Sequence, residues 1–263
     1  MKCLVINLDR SVERLAHVKS EFARIGIPFE RVPAIDAAAR PSVLAPSLTP
    51  AEIGCFLSHR ICWQIIADGA DRYGAIFEDD VIFSGNAGLL LSEDGWVPGD
   101  ADLVKLETYF TKVRMARRRV AIDDGYSIAR LVGEHVGSAG YLVSRTAARK
   151  LLQRTRRLKS VLDHVLFSPT LLTCSLNTIY QLTPALCAQA QFFSGNDALP
   201  TLIQVNPPHR QRRLSNRILG EASRTFAHLR NRSFWGTEKI DRVELHARSP
   251  DGRAALSTLL LPA

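Results

Sequence analysis

The sequence has no long hydrophobic run. Its longest apolar stretches, such as Leu256 to Leu261, fall well short of the ~20 residues that a membrane-spanning helix requires. A secretory signal is also missing: Met1-Lys2-Cys3-Leu4-Val5-Ile6 carries one basic residue and a short apolar run, then turns polar at Asn7, Asp9 and Arg10. That run reads better as a first strand. Cysteine is sparse. Cys3, Cys55, Cys62, Cys174 and Cys187 are odd in number and show no paired spacing, so reduced thiols in a cytosolic protein are the simplest account. No internal repeat is evident. With 46% apolar and 23% charged residues in a chain of 263, composition excludes bulk disorder and allows one large domain, or one domain with an appendage.

The net charge of +8 is unevenly placed. From Val205 onward eleven Lys/Arg stand against five Asp/Glu, whereas the first 204 residues have a net charge of only +2. Leu214, Ile218, Ala222, Phe226 and Leu229 line one helical face there, with Arg213, Arg217, Arg224 and Arg230 nearby, which predicts a basic amphipathic helix. The division expected is a main domain over 1–204 and a basic segment over 205–263. Its charge predicts contact with an anionic membrane surface through 205–248, against the alternative of a solvated or inter-domain helix. The arginines lack interleaved aromatics and no recognised nucleic-acid fold appears, so nucleic acid is not the expected partner.

The main body alternates strands and helices. Cys3 to Asn7 reads as a strand, Val12 to Ile25 as a helix stopped by Gly26, and Ile27 to Val32 as a strand, together a parallel βαβ unit. Thr49, Pro50 and Glu52 form the start signal of a second helix that ends near Gly69. A strand at 73–77, a short strand at Asp102 to Leu106, and a hairpin within 112–130 turning at Asp123-Asp124-Gly125 follow. Then come helices over Thr146 to Arg154 and Val165 to Leu172, and a closing strand at Asn177 to Leu182. The class is α/β.

Glu78-Asp79-Asp80 stands directly after the apolar run Tyr73 to Phe77. Ligands of open α/β sheets sit outside the carboxyl ends of strands. Carboxylates about 5 Å apart repel by roughly 3 kcal/mol per pair at an effective dielectric near 20, so something must hold them together. A divalent cation bridging to a phosphorylated substrate does so. From the triplet alone, a solvated turn with acids at a helix start is equally well supported. Other candidates are individually weak. Cys55, His59 and Cys62 share a face of helix two, but a zinc site needs a fourth ligand and local polarity that are not visible, so they read as buried thiols beside a hydrogen-bonded histidine. Asp163 before an apolar helix reads first as an N-cap. Lys105 and Glu107 alternate on one strand face and read as an ion pair.

Their order, however, resembles glycosyltransferase family 25, the group of bacterial lipooligosaccharide galactosyltransferases and their collagen-modifying eukaryotic relatives. The resemblance runs from about Cys3 to Asp197. It comprises Val5-Ile6-Asn7-Leu8-Asp9-Arg10 with Arg14, then Pro33-Ala34-Ile35-Asp36, the stretch Thr49 to His59, Ile76-Phe77-Glu78-Asp79-Asp80-Val81, Val104-Lys105-Leu106-Glu107, and Gly140-Tyr141-Leu142-Val143-Ser144. What it implies is a GT-A-like nucleotide-sugar-binding domain with a mixed, mainly parallel sheet. The implied activity is inverting transfer of a hexose, galactose by the family's habit, from a UDP-sugar to a saccharide acceptor such as a lipid-linked lipooligosaccharide core. Glu78-Asp79-Asp80 matches the family's Asp-x-Asp motif, with Glu in place of the first Asp. The resemblance thus implies Glu78 and Asp80 as ligands of Mn²⁺ (or Mg²⁺), and Asp163 as catalytic base. Asn7, Arg14, Asp36, Ser58, His59, Asp79, Lys105 and Glu107 would make up the donor-binding set, and acceptor contacts would lie in residues 84–101 and 110–136. The expected location is cytoplasmic, peripheral on the inner face of the cytoplasmic membrane. The alternatives are a metal-dependent nucleotidyl- or phosphotransferase and a non-catalytic module binding an anionic surface or nucleic acid.

Overall fold

The computed structural model describes residues 1–36, 48–193 and 238–246. Its framework is a nine-stranded mixed sheet. The strands are β1 (Lys2–Asn7), β2 (Glu30–Pro33), β3 (Tyr73–Glu78), β5 (Leu103–Lys105), β6 (Lys112–Ala121), β7 (Ser127–Leu131), β8 (Gly140–Ser144), β9 (Ile179–Thr183) and β11 (Glu238–Arg242). Their spatial order is β11-β6-β7-β9-β5-β8-β3-β1-β2. β1 pairs in parallel with both β2 and β3, and β5 with β9, whereas β8 runs antiparallel between β3 and β5. Following the pairings across the sheet, β2, β1, β3, β5, β9 and β6 share one direction, while β8, β7 and β11 oppose it. A short second sheet pairs β4 (Val81–Phe83) with β10 (Cys187–Gln189).

The central strands β1, β3, β5 and β8 are buried on both faces, and period-two alternation divides the core in two. Leu4, Ile6 and Ile76 face one cluster, together with Phe56, Trp63 and Ile66 of α2 (Pro50–Asp68), Leu151 of α4 (Arg145–Arg154) and Phe167 of α5 (Leu162–Phe167). Cys3, Val5, Ala75 and Phe77 face the other, with Val18, Phe22 and Ile25 of α1 (Val12–Ile25) and Leu90 and Leu91 of α3 (Ala87–Ser92). Helices on both sides of a mostly one-directional sheet are the layered α/β arrangement expected.

The local signals for the first helices hold. Gly26 ends α1 in the left-handed conformation at φ +70°, its N–H returning to the carbonyls of Phe22 and Ala23. Thr49 and Glu52 complete both halves of the capping box on α2. The hairpin turn at Asp124-Gly125 is also found, with both residues at positive φ.

Two expectations are corrected. The helix expected over Val165 to Leu172 is two: α5 stops at Phe167, and α6 is Leu172–Ser175. Pro169 lacks an N–H and disfavours helical angles at the residue before it, and Ser168 is accordingly extended. The strand expected to close the sheet, β9, is internal, between β5 and β7. Among the described residues the edges are β2 and β11, the latter from within the expected basic segment. Val243 beyond it is wholly buried, and the Thr108 hydroxyl donates to its carbonyl. The expected amphipathic helix at 213–230 lies outside the described residues.

Candidate active site at the carboxyl ends of the strands

The carboxyl ends of β1, β2, β3 and β5 open on one side of the sheet. Because β8 is antiparallel, its entry loop Gly137-Ser138-Ala139 meets them there, with Phe77 opposite Gly140 and Lys105 opposite Tyr141. Nearly every expected site residue that is described lies on this rim.

Asp79 is anchored on both oxygens. Asn7 Nδ2 donates to Oδ2 at 2.7 Å, and Arg14 Nη1 donates to Oδ1 at 2.6 Å. Arg31 Nε in turn donates to Asn7 Oδ1 at 2.9 Å. Asp79 is therefore the member of the triplet that ties it to β1, β2 and α1. Among the described residues the Asp80 carboxylate takes one bond, from Arg14 Nη2 at 3.2 Å, and its buried Oδ1 has no hydrogen-bond partner. Burial and the charge of Glu78 push the Asp80 carboxyl up to about 7, against the pull of Arg14. Glu78 is held in the opposite direction. Burial raises it, but His59, Ser138 and Arg14 outweigh burial and keep it below the usual range. Ser138 Oγ donates to Glu78 Oε1 at 3.0 Å, and His59 Nε2 faces the same oxygen at 3.5 Å.

His59 is fixed from behind. Its Nδ1 is 2.9 Å from the Tyr141 hydroxyl, which also accepts from Trp63 Nε1 at 2.9 Å, and its ring is stacked on that of Tyr141. Ser58 is engaged in holding the chain together: its Oγ accepts from Ile35 N–H at 2.8 Å and donates to the Gly54 carbonyl at 2.7 Å. Asp36 pairs with Arg10 at the outer edge of the rim.

Lys105 and Glu107 form the expected ion pair, 3.0 Å apart and wholly buried. Lys105 Nζ also donates to the Gly137 carbonyl at 2.7 Å and lies 4.6 Å from the Phe167 ring centroid. Glu107 Oε2 accepts from Ala139 N–H at 3.1 Å, while Oε1 is buried with no partner. Burial drives the Glu107 carboxyl up to about 7, with Lys105 pulling against it and Glu78 reinforcing it. Gly137 sits at φ +97°, and a Cβ there would lie 2.2 Å from Tyr109 Cε2 and 2.8 Å from Glu107 Oε2. Only glycine fits that approach.

Asp163 is not the cap of α5. Val161 occupies the N-cap position, and Asp163 lies in the first turn, half-buried, with Oδ1 accepting from His164 N–H at 2.8 Å. It belongs to the same cluster electrostatically. The Tyr109 hydroxyl is pushed up first by burial, then by the charges of Glu107, Glu78, Asp163 and Asp80. The thiol of Cys55 is raised by burial and by Glu78, Asp163 and Asp80. Carboxylates from three chain segments thus act on one pair of neighbours. Hard oxygen donors with an orphaned buried oxygen on Asp80 fit a divalent cation such as Mn²⁺ or Mg²⁺.

Sequence reasoning missed several participants. Tyr109 and the buried pair of His135 with Gln181, 2.7 Å apart, carried no periodic or spacing signal, and Trp63 follows the helical spacing of α2 without announcing its bond to Tyr141. Ser138 stands in the loop before β8, where no local pattern marks its hydroxyl. Cys62 does not join Cys55 and His59; Glu78 does, with ligand atoms of the three within 4.8 Å of one another.

Carboxylates gathered outside the carboxyl ends of a mixed α/β sheet mark its ligand crevice, and the comparisons with known proteins give the class as glycosyltransferase. The chain belongs to glycosyltransferase family 25 (LPS biosynthesis protein), whose family model matches residues 1–166. It is 36% identical over 223 residues to the lacto-N-neotetraose biosynthesis glycosyltransferase LgtB of Neisseria meningitidis serogroup B, covering 76% of this chain and 81% of that one. It is 32% identical over 265 residues to LgtE of Neisseria gonorrhoeae, covering 91% and 92%. Among solved structures it is similar to S. aureus TarS, at a TM-score of 0.43 and 14% identity over 72% of this chain and 60% of that one, a likeness too slight to bear on function. Family membership sets aside the nucleotidyltransferase, phosphotransferase and non-catalytic readings.

Proposed function

We propose that the chain is an inverting hexosyltransferase that moves galactose from UDP-galactose to a saccharide acceptor of the lipooligosaccharide core, assisted by Mn²⁺ or Mg²⁺. The observation that carries this reading is the buried Asp80 Oδ1, left without a partner among the described residues and set amid the charges of Glu78, Asp79 and Glu107. The relatives' role in lacto-N-neotetraose biosynthesis supports an oligosaccharide acceptor.

Glu78 and Asp80 would hold the cation, which when bound neutralises the charge developing on the departing diphosphate. Arg14 and Asn7 fix the triplet's geometry through Asp79, so that the two outer carboxylates are presented without reorganisation. Asp163, half-exposed at the start of α5, takes the proton from the acceptor hydroxyl as that oxygen attacks the anomeric carbon. A single in-line displacement inverts the centre and requires no nucleophilic carboxylate on the sugar's other face.

The test is transfer from UDP-galactose, against other UDP-sugars, with Mn²⁺ present. Asp80→Ala should lose metal-dependent transfer by about 10²-fold or more, with an unchanged fold. Asp163→Asn should keep donor binding while transfer falls by about 10²–10⁴-fold. Wild-type turnover by Asp80→Ala at saturating Mn²⁺ would refute the metal assignment. An Asp163→Asn protein that only melts earlier would leave Asp163 a structural residue.

A further inference from the structure

Cys55 and His59 stand one turn apart on α2, and Glu78 ends β3 beside them. Each offers one ligand atom, and these atoms lie within 4.8 Å of one another. His59 is wholly buried, and its Nε2 has no hydrogen-bond partner. A buried nitrogen left in that state forfeits the hydrogen bond it would make in water. It faces Glu78 Oε1 at 3.5 Å, which is too long for a charge-assisted hydrogen bond of about 2.8 Å. It is, however, the separation of two ligands around one small cation. Bonds of about 2.0–2.2 Å at tetrahedral angles place nitrogen and oxygen roughly 3.3–3.5 Å apart. The Tyr141 oxygen has two lone pairs, enough to accept from both Trp63 Nε1–H and His59 Nδ1–H. In that tautomer Nε2 presents a free lone pair, with its ring already oriented by the partner behind it. Cys55 is partly exposed.

The donor set separates this cluster from the carboxylate pair Glu78–Asp80. Thiolate and imidazole select Zn²⁺ or Co²⁺, whereas Mg²⁺ and Mn²⁺ favour oxygen. We infer that Cys55, His59 and Glu78 form a site for a borderline-soft divalent cation such as Zn²⁺, with a fourth position open. Ligation forms a metal–sulfur bond and releases the Cys55 thiol proton to water. Occupation draws Glu78 away from the donor, so Zn²⁺ inhibits sugar transfer. The binding stands on geometry alone; the inhibition rests on the reading of Glu78 as a donor-site ligand.

Titration of the purified, metal-free full chain with Co²⁺ tests the binding. A thiolate-to-cobalt charge-transfer band should rise to about one equivalent. It should be lost, with at least tenfold weaker binding, in both Cys55→Ser and Cys55→Ala, and kept in Cys62→Ala and Asp80→Ala. No band in the wild type, or a band persisting in folded Cys55→Ser, overturns the site. Zn²⁺ added to Mn²⁺-supported transfer should inhibit the wild type and spare Cys55→Ser, whose transfer without Zn²⁺ is unchanged. Normal Co²⁺ binding without Zn²⁺ inhibition overturns the coupling. Because the band is read without turnover, failure of the site and failure of the transferase reading give different results.

Discussion

Glu107 has no exposed surface and one oxygen without a partner. Its carboxyl is raised to about 7 by burial, against the pull of Lys105. Between the ordinary glutamate range and that value the folded protein keeps a proton that the unfolded chain has lost, so stability falls as pH rises through this window. Asp80 is raised in the same direction and adds to the slope. Each tenfold change in proton affinity is worth about 1.4 kcal/mol, which makes the Glu107 contribution on the order of 3 kcal/mol. Thermal melts of metal-free protein from pH 5 to pH 8 should show the decline, and Glu107→Gln should remove about half of it. An undiminished slope in the variant would refute the account. Single residues of this kind were partly legible beforehand. The alternation of Lys105 and Glu107 announced an ion pair, but the depth of its burial follows from β8, β9 and the Gly137 loop closing over it.

At the scale of elements, the loop entering β8 joins the parts of the site. It brings the Gly137 carbonyl to Lys105, Ala139 N–H to Glu107 and the Ser138 hydroxyl to Glu78. Gly137→Ala meets both a positive φ and a side-chain clash, and should cost about 2 kcal/mol or more in urea denaturation, with loss of transfer. Gly26→Ala is the comparison. It has a positive φ but nothing within 4 Å, so about 1 kcal/mol and unaltered transfer are expected. Equal costs would show that crowding at Gly137 is relieved. Helices α1 and α2 were readable because their stop and cap signals are local and complete. The break at Ser168-Pro169 carried its signal in the proline, overridden in the sequence reading by the apolar periodicity around it.

Across the whole molecule, the expected boundary at residue 204 leaves one strand of the main sheet on its far side. β11 and the buried Val243 come from that segment and complete the sheet edge beside β6. Among the described residues no helix is long and apolar enough to cross a membrane. We propose that the arginines of 213–230 hold the enzyme to an anionic membrane surface, at about 1 kcal/mol each. Replacing Arg213, Arg217, Arg224 and Arg230 together by Gln should lower sedimentation with anionic vesicles about tenfold or more at low salt, and leave transfer to a water-soluble acceptor intact. Vesicle binding equal to wild type would refute this anchor. Truncation would not serve, since it removes a strand of the sheet.

The sequence by itself determined the α/β class, the first βαβ unit, the capped helix α2 and the acidic triplet after a buried strand, because each rests on short-range periodicity, turn chemistry or capping. The individual roles within the triplet were decided only by tertiary structure. Asp79 became the anchor, Asp80 the carboxylate with an unpartnered oxygen, and Glu78 the neighbour of His59 and Cys55. Those distinctions depend on Arg14 and Asn7, some 70 residues away along the chain, and on the direction of β8. Long-range pairing is set by how the sheet closes, which no local pattern encodes.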